Sequence, residues 1–284
     1  MDWDKLPPRT WIRRLRFPPP VVSVLRLHGV IMAPSLPMQR TLSLAGTAGL
    51  IEQAFKQRGL SAVALSINSP GGSPVQSALI HQRIRALAEE QRLPVLSFVE
   101  DVAASGGYWL ALAGDEIFVN ESSIVGSIGV ISAGFGFQGL IDKLGVERRL
   151  HTSGDKKSFL DPFKPESEAE VKRLEALQKE IHASFRALVE KRRAGRLQGG
   201  PRTLFSGEFW SGAKALELGL VDGIGELRSV LRDRYGQEVK LRVMEPRRGL
   251  LRRRLGLAEA QPGALVDGML AALDERALWA RYGL

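Results

Sequence analysis

The chain has 284 residues, 44% of them hydrophobic, which is enough to bury a sizeable core in one large domain with extensions. It has no cysteine, which excludes disulfides, thiolate zinc sites and a cysteine nucleophile, and its four histidines follow no metal-ligand spacing, so we expect no metal and no cofactor. The formal net charge of +9 suits an anionic partner, but no zinc-finger or aromatic RNA-binding motif occurs, so we expect no nucleic acid.

Strands and helices alternate along the first half of the chain. Apolar runs predict strands, amphipathic stretches predict helices, and glycine or proline separates them. In chain order the sequence predicts a basic N-terminal arm 1–20, strand 21–27, helix 47–57, strand 62–68, helix 74–90, strand 93–99, helix 106–113 and strand 117–119. This alternation predicts an α/β fold of repeated β-α units with a mainly parallel sheet.

The second half is more helical. A long charged helix is predicted for residues 165–193, a shorter one for 213–219, and residues 220–225 return to the core. From about residue 245 the chain is basic and then amphipathic. We therefore divide it into an N-terminal arm (1–20), a central domain (21–244) and a C-terminal extension (245–284).

The two ends combine arginines with apolar residues. Segments 11–17 and 250–255 have the mixture found in segments that lie in a membrane interface, and they favour binding to an anionic membrane surface. A solvated basic tail is the alternative. Because no stretch approaches the ~20 apolar residues of a membrane span and the N-terminus lacks a signal-peptide pattern, we expect a cytoplasmic location, peripheral on the inner face of the membrane.

Two turns of similar design stand out. Ser105 follows strand 93–99 in the run Ala-Ser-Gly-Gly-Tyr, where the glycines predict a tight strand-to-helix turn with the hydroxyl exposed beside free amides. Upstream, Ser69-Pro70-Gly71-Gly72 follows strand 62–68. One turn can supply a nucleophile and the other a donor to an oxyanion. The alternative is that Ser105 is an ordinary helix N-cap.

A nucleophilic serine needs a base, and no histidine lies in a convincing context: His28 ends a strand, His81 lies inside a helix and His151 has no evident carboxylate partner. Lysine is the other option, and Lys156 and Lys157 lie ahead of apolar and proline residues. A lysine base must lose its proton near neutral pH. Its pKa of about 10.4 must therefore fall to roughly 7–8, which burial can accomplish.

Four motifs occur in one order: Asn68-Ser-Pro-Gly-Gly72, Ala104-Ser-Gly-Gly-Tyr108, Gly126-Ser-Ile-Gly-Val130, and Phe205-Ser-Gly-Glu208 followed by Ala213 to Asp222. Together they resemble the signal peptide peptidase A family of serine peptidases over about residues 21–240. The resemblance implies the fold shared by the Clp protease proteolytic subunit and the crotonases, with residues 21–244 as the peptidase domain.

The resemblance also implies roles for particular residues. Ser105 matches the nucleophile, Lys157 the general base in a Ser-Gly-x-x-Lys pattern, and Ser127 the hydroxyl that hydrogen-bonds the lysine amine. The upstream oxyanion donor matches Gly72 or its neighbour Gly71, and the second donor is the Gly106 amide. Lys156 remains the alternative base, one position away.

The implied activity is that of a serine endopeptidase with a Ser–Lys dyad. We expect extended apolar peptides as substrates, such as released signal peptides or misfolded membrane-associated chains. In short members of the family the serine and lysine of one site come from adjacent subunits, so we expect a homo-oligomeric ring. The alternatives are a crotonase-like acyl-CoA enzyme and a non-catalytic membrane-associated scaffold.

Overall fold

The computed structural model describes residues 18–33, 41–154, 156–245 and 276–284. The basic segments 11–17 and 250–255 lie outside the described residues, as do most of the predicted N-terminal arm and most of the C-terminal extension. No helix in the described part of the chain is both long and apolar enough to cross a lipid bilayer.

Strands and helices alternate as predicted. The strands are β1 (Val21–His28), β2 (Leu60–Ser69), β3 (Val95–Ala104), β4 (Glu116–Val119), β5 (Ile124–Gly126), β6 (Phe209–Ser211), β7 (Gly223–Ile224) and β8 (Lys240–Val243). The helices are α1 (Leu44–Phe55), α2 (Pro74–Gln91), α3 (Gly106–Ala111), α4 (Gln138–Lys143), α5 (Glu168–Arg192), α6 (Pro201–Leu204), α7 (Gly212–Glu217) and α8 (Leu227–Tyr235).

The strands form one sheet in the order β6-β5-β3-β2-β1-β8, and β4 pairs with both β3 and β7. All of these pairs are parallel except β5 with β6, which is antiparallel. The α/β class with a mainly parallel sheet is therefore confirmed. Because parallel strands end at the same edge, the turns that follow β2 and β3 lie next to each other.

The sheet is covered on both faces. Alternate residues of β2 show this: Val63, Leu65 and Ile67 belong to the main core, under the helices α1 to α3. Ala62 and Ala64 face a smaller apolar cluster that includes Leu231 of α8. Burial on both faces explains why the central strands are nearly continuous apolar runs in the sequence.

Strand β3 is longer than predicted. The prediction ended it at residue 99 with the apolar run, and the charged pair Glu100 and Asp101 follows in the sequence. The structure continues β3 to Ala104, with a register shift opposite Ile67 to Ser69. The two carboxylates are exposed, and the strand then pairs with β5. Ser105 therefore follows directly after the last residue of the strand.

Residues 130–166, here called the lysine segment, stay outside the core. None of the described residues in this segment is buried. It is held largely by its own contacts, such as the bond from the Phe137 amide to the Pro162 carbonyl (2.6 Å) and the Arg148–Asp161 ion pair (2.9 Å). It nevertheless carries a series of exposed apolar side chains: Ile131, Phe135, Phe137, Leu140, Leu144, Val146 and Leu150.

Candidate active site

Ser105 lies at the junction of β3 and α3. Its amide donates to the Gly126 carbonyl (2.8 Å), and its carbonyl accepts the first bond of the helix, from the Trp109 amide (3.0 Å). The serine thus has the position of a helix N-cap, but its side chain makes no capping hydrogen bond. The hydroxyl of this half-buried residue is therefore not committed to stabilising the helix.

Two serines singled out from the sequence have unusual backbone angles. Ser105 has φ 51° and ψ −120°, and Ser127 has φ 53°. The left-handed region is costly for residues with a Cβ atom, at about 1–3 kcal/mol each. Such strain persists only where the surrounding structure enforces it, and it is concentrated at active sites. Strain at both hydroxyl residues favours a functional role over that of an ordinary cap.

The glycine turn after β2 approaches Ser105 closely. A Cβ atom at Gly71 would lie 2.8 Å from the Gly106 nitrogen and 2.9 Å from the Ser105 Cβ. Gly72 (φ +135°) pairs with Ile31, and a Cβ there would overlap the Ile31 carbonyl. Only glycine fits at either position, because both the space and the backbone angle exclude a side chain. The two turns predicted from the sequence therefore meet.

The amides of this turn differ in their partners. The Gly71 amide donates to the Ser69 hydroxyl (3.2 Å). Within the described residues we find no hydrogen bond from the amides of Gly72 or Gly106. A Cβ placed on Gly106 would lie 3.3 Å from the Gly72 nitrogen, so the two uncommitted donors are close neighbours. This favours Gly72 over Gly71 as the upstream donor.

Ser127 lies next to the pairing of β3 with β5. Its amide donates to the Glu208 carbonyl (2.7 Å), and its carbonyl accepts from the Gly129 amide (2.9 Å). Its side chain is buried, at 8% exposure, and its hydroxyl accepts a hydrogen bond from the phenol of Tyr282 (3.3 Å). The sequence did not single out Tyr282, although an aromatic pair three residues apart, Trp279 and Tyr282, was visible there.

The two candidate lysines are not brought to the serines within this chain. Lys156 and Lys157 are both exposed and lie in a turn of the lysine segment, where the Lys157 amide donates to the Gly154 carbonyl (3.2 Å). No hydrogen bond joins either side-chain amine to Ser105 or Ser127. The described part of a single chain thus brings together the Ser105 hydroxyl, two amides and the Ser127 hydroxyl, but not the candidate lysines.

Other motif residues have structural roles. The Tyr108 phenol is fully buried and donates to the Leu220 carbonyl (2.7 Å), which ties α3 to the loop before β7, and burial raises the pKa of this phenol. Asp222 accepts from Arg193 (2.6 Å), Arg196 (2.8 Å) and the Ile117 amide (2.8 Å). These contacts give Tyr108 and Asp222 a structural reason to belong to the motifs.

The hollow beside Ser105 is small. It is walled by Trp109, Val130, Ile181 and Phe185 and measures about 10 Å³, about the room that one water needs. A larger cleft, about 600 Å³, lies elsewhere, on the side of the sheet covered by α8. The small hollow is the candidate site, because Ser105, Gly72 and Gly106 line it.

A family model described as peptidase family S49 matches residues 88–241. The chain is 55% identical over 281 residues to a protein of Brucella abortus named Na(+)/H(+) antiporter NhaA. The match covers 96% of this chain but only 38% of that protein's length. It is 34% identical over 191 residues to a putative signal peptide peptidase SppA of Enterococcus faecium, over 67% of this chain and 55% of the other.

The fold is similar to that of a solved structure described as a membrane-bound stomatin-specific protease. The TM-score is 0.50, with 16% sequence identity, over 80% of this chain and 99% of the other. At this identity the likeness concerns the fold alone.

Proposed function

Since the chain belongs to peptidase family S49, whose members act on peptide bonds, we propose that it is a serine endopeptidase with Ser105 as nucleophile and Lys157 as general base. The observation that most supports this function is the meeting of the two turns. A strained serine with an uncommitted hydroxyl lies beside two uncommitted amides, those of Gly72 and Gly106. An oxyanion hole requires this combination of groups.

In the proposed reaction the neutral Lys157 amine removes the Ser105 proton as Oγ attacks the peptide carbonyl carbon. The carbonyl electron pair moves to oxygen, and the Gly72 and Gly106 amides donate to that oxyanion. When the tetrahedral intermediate collapses, the C–N bond breaks and the lysine ammonium returns its proton to the leaving amine. Water then attacks the acyl-enzyme by the same route and restores Ser105.

A lysine base works only when its ammonium form is destabilised, and burial is one way to achieve this. Lys157 is exposed in the single chain. The lysine segment that contains it also exposes large apolar side chains, including Phe135 at 81% and Leu144 at 67%. We propose that this segment packs on a second copy of the chain, where Lys157 reaches the Ser127 and Ser105 of its neighbour. The working site would then be shared between subunits of a ring.

The proposed substrates are extended apolar peptides, such as released signal peptides or misfolded membrane-associated chains. The relative from Enterococcus faecium, named as a putative signal peptide peptidase, supports this class. The exposed backbone at Gly72 supports binding by strand addition, because its amide remains free for a peptide carbonyl. The Brucella abortus relative is named as an antiporter, which supports a location close to a membrane. The preference for an anionic surface rests on the basic segments 11–17 and 250–255.

Labelling with a fluorophosphonate probe tests the nucleophile directly. We expect the wild-type chain to be labelled at Ser105 and the Ser105→Ala variant to be unlabelled while remaining folded and assembled. A folded wild-type oligomer that neither reacts with the probe nor hydrolyses peptides would contradict the proposal and favour a scaffold.

Complementation tests the shared site. We expect Ser105→Ala and Lys157→Ala to be inactive alone and to regain activity in mixed oligomers, because some interfaces pair an intact serine with an intact lysine. As a control, Ser105→Ala chains are mixed with Ser127→Ala chains, in which Lys157 is intact. Mixing should not restore activity at the sites that lack the nucleophile. Verified mixed oligomers that stay inactive would show that the dyad lies within one chain.

A further inference from the structure

The last nine described residues, 276–284, fold back onto the body of the protein. A short helical turn leads into Tyr282, whose amide donates to the Trp279 carbonyl (2.9 Å). The Tyr282 side chain is only 7% exposed. The buried Tyr282 ring shows that this short segment is packed on the described part of the chain.

Tyr282 is held by a hollow at the end of β3 and β5. Val102 and Ala104 form one apolar cluster with the Tyr282 ring, and Ile124 packs against it. The ring of Phe209 meets that of Tyr282 edge-on, with centroids 5.1 Å apart. Such aromatic pairs contribute beyond their buried area. The hollow therefore matches an aromatic side chain in shape and chemistry.

A polar group completes the hollow. The phenol oxygen of Tyr282 lies 3.3 Å from the Ser127 hydroxyl, to which it donates. A tyrosine combines a flat apolar body with a donor at its tip, and the hollow supplies a partner for each. Phenylalanine would fill the same space but leave Ser127 without this bond.

The hollow adjoins the proposed active site. Ala104 immediately precedes the nucleophile Ser105, and Ser127 follows the residue whose carbonyl binds the Ser105 amide. Ser127 is also the hydroxyl expected to hold the Lys157 amine. With Tyr282 in place Ser127 is only 8% exposed, and its hydroxyl accepts the hydrogen bond of the phenol.

We propose that the C-terminal segment 276–284 is a built-in ligand of an aromatic-binding site beside the nucleophile, and that its docking keeps Ser127 from the lysine amine. The site takes the aromatic side chain of a peptide, and the chain's own Tyr282 occupies it until it is displaced. The inhibitory part rests on the proposed function of Ser127 and Lys157. The docking part stands on the contacts of Tyr282 alone.

A binding experiment on full-length protein tests the docking. The probe is a fluorescent peptide with the sequence of residues 276–284, measured by polarisation in a Ser105→Ala background so that it is not cleaved. We expect little binding to the otherwise wild-type chain, because the tethered segment competes at a high effective concentration. Tyr282→Ala should open the site and bind the peptide, whereas Arg281→Ala, at an exposed neighbouring position, should behave as wild type.

A peptide variant tests the recognition of the phenol. A peptide with phenylalanine in place of tyrosine should bind the Tyr282→Ala protein about 2- to 10-fold more weakly, the effect of one hydrogen bond. Failure of the parent peptide to bind the opened protein, or equal binding to wild type and Tyr282→Ala, would overturn the proposal.

The rate of fluorophosphonate labelling at Ser105, with an intact nucleophile, tests the inhibition. We expect Tyr282→Ala to react faster than wild type and Arg281→Ala, and the free peptide to slow it again. Equal rates in a protein that binds the peptide would overturn the inhibitory part. If no variant reacts with the probe although the peptide binds, the proposed peptidase function fails, and the docking site remains.

Discussion

The backbone strain at Ser105 predicts that one inactive variant is more stable than another. In Ser105→Ala the Cβ atom remains at φ 51°, so the strain remains. In Ser105→Gly it is relieved, which recovers about 1–3 kcal/mol. Glycine loses more conformational entropy on folding, at a cost of about 0.5–1 kcal/mol relative to alanine. The difference predicts that Ser105→Gly is about 1 kcal/mol more stable than Ser105→Ala.

Loss of a helix cap does not affect this comparison, since the Ser105 side chain makes no capping bond that either variant would lose. The assay is urea unfolding of both variants, with the midpoint and the slope fitted separately. Neither variant should react with a fluorophosphonate. The gain in stability would therefore identify the serine as a residue kept in a strained geometry for function.

Ser184, an exposed position inside α5, provides the control. There the helix favours alanine, and glycine should be less stable by about 1 kcal/mol. The sign of the glycine–alanine difference should therefore reverse between the two positions. If Ser105→Gly is no more stable than Ser105→Ala, the turn is not strained in solution, and the argument from backbone angle fails.

Three further predictions follow from the site and its surroundings. Lys157→Ala should abolish peptide hydrolysis, whereas Lys156→Ala should not. Ser127→Ala should lose less activity than Lys157→Ala, because Ser127 only positions the amine. An inactive Lys156→Ala would assign the general base to Lys156 instead. Burial, aided by the charge of Arg192, lowers the pKa of His81 from 6.5 to about 4. The contribution of this histidine to the free energy of unfolding is therefore fully present above about pH 6.5 and is lost as the pH falls towards 4. By pH 5 the loss should be about 2 kcal/mol, and urea unfolding at pH 7 and pH 5 should show a smaller loss for His81→Gln than for wild type; equal losses would exclude this histidine as the cause. Binding to anionic vesicles through the basic ends should weaken with salt, and equal binding to neutral vesicles would contradict an electrostatic attachment.

Local signals in the sequence determined a large part of this protein. The apolar runs and glycine turns predicted the α/β class, and the structure confirms it. The same turns identified Ser105 and the Gly71–Gly72 pair as candidates, because a turn that requires glycine or exposes a serine is encoded in a few adjacent residues. The prediction of strand ends was less accurate where pairing between distant strands, rather than the local pattern, determines the structure. Strand β3 passes through Glu100 and Asp101 because pairing with β5 continues beyond them.

Tertiary structure alone decided which candidates meet and which groups remain free. The approach of Gly71 to Ser105 depends on β2 and β3 being parallel neighbours. The proposal of Gly72 rather than Gly71 as the oxyanion donor rests on the bond from the Gly71 amide to the Ser69 hydroxyl. The contact of Tyr282 with Ser127 joins residues 155 positions apart, and no local pattern encodes it. The exposure of Lys157 is likewise a property of the folded chain, since burial depends on what packs against a residue rather than on its sequence neighbours.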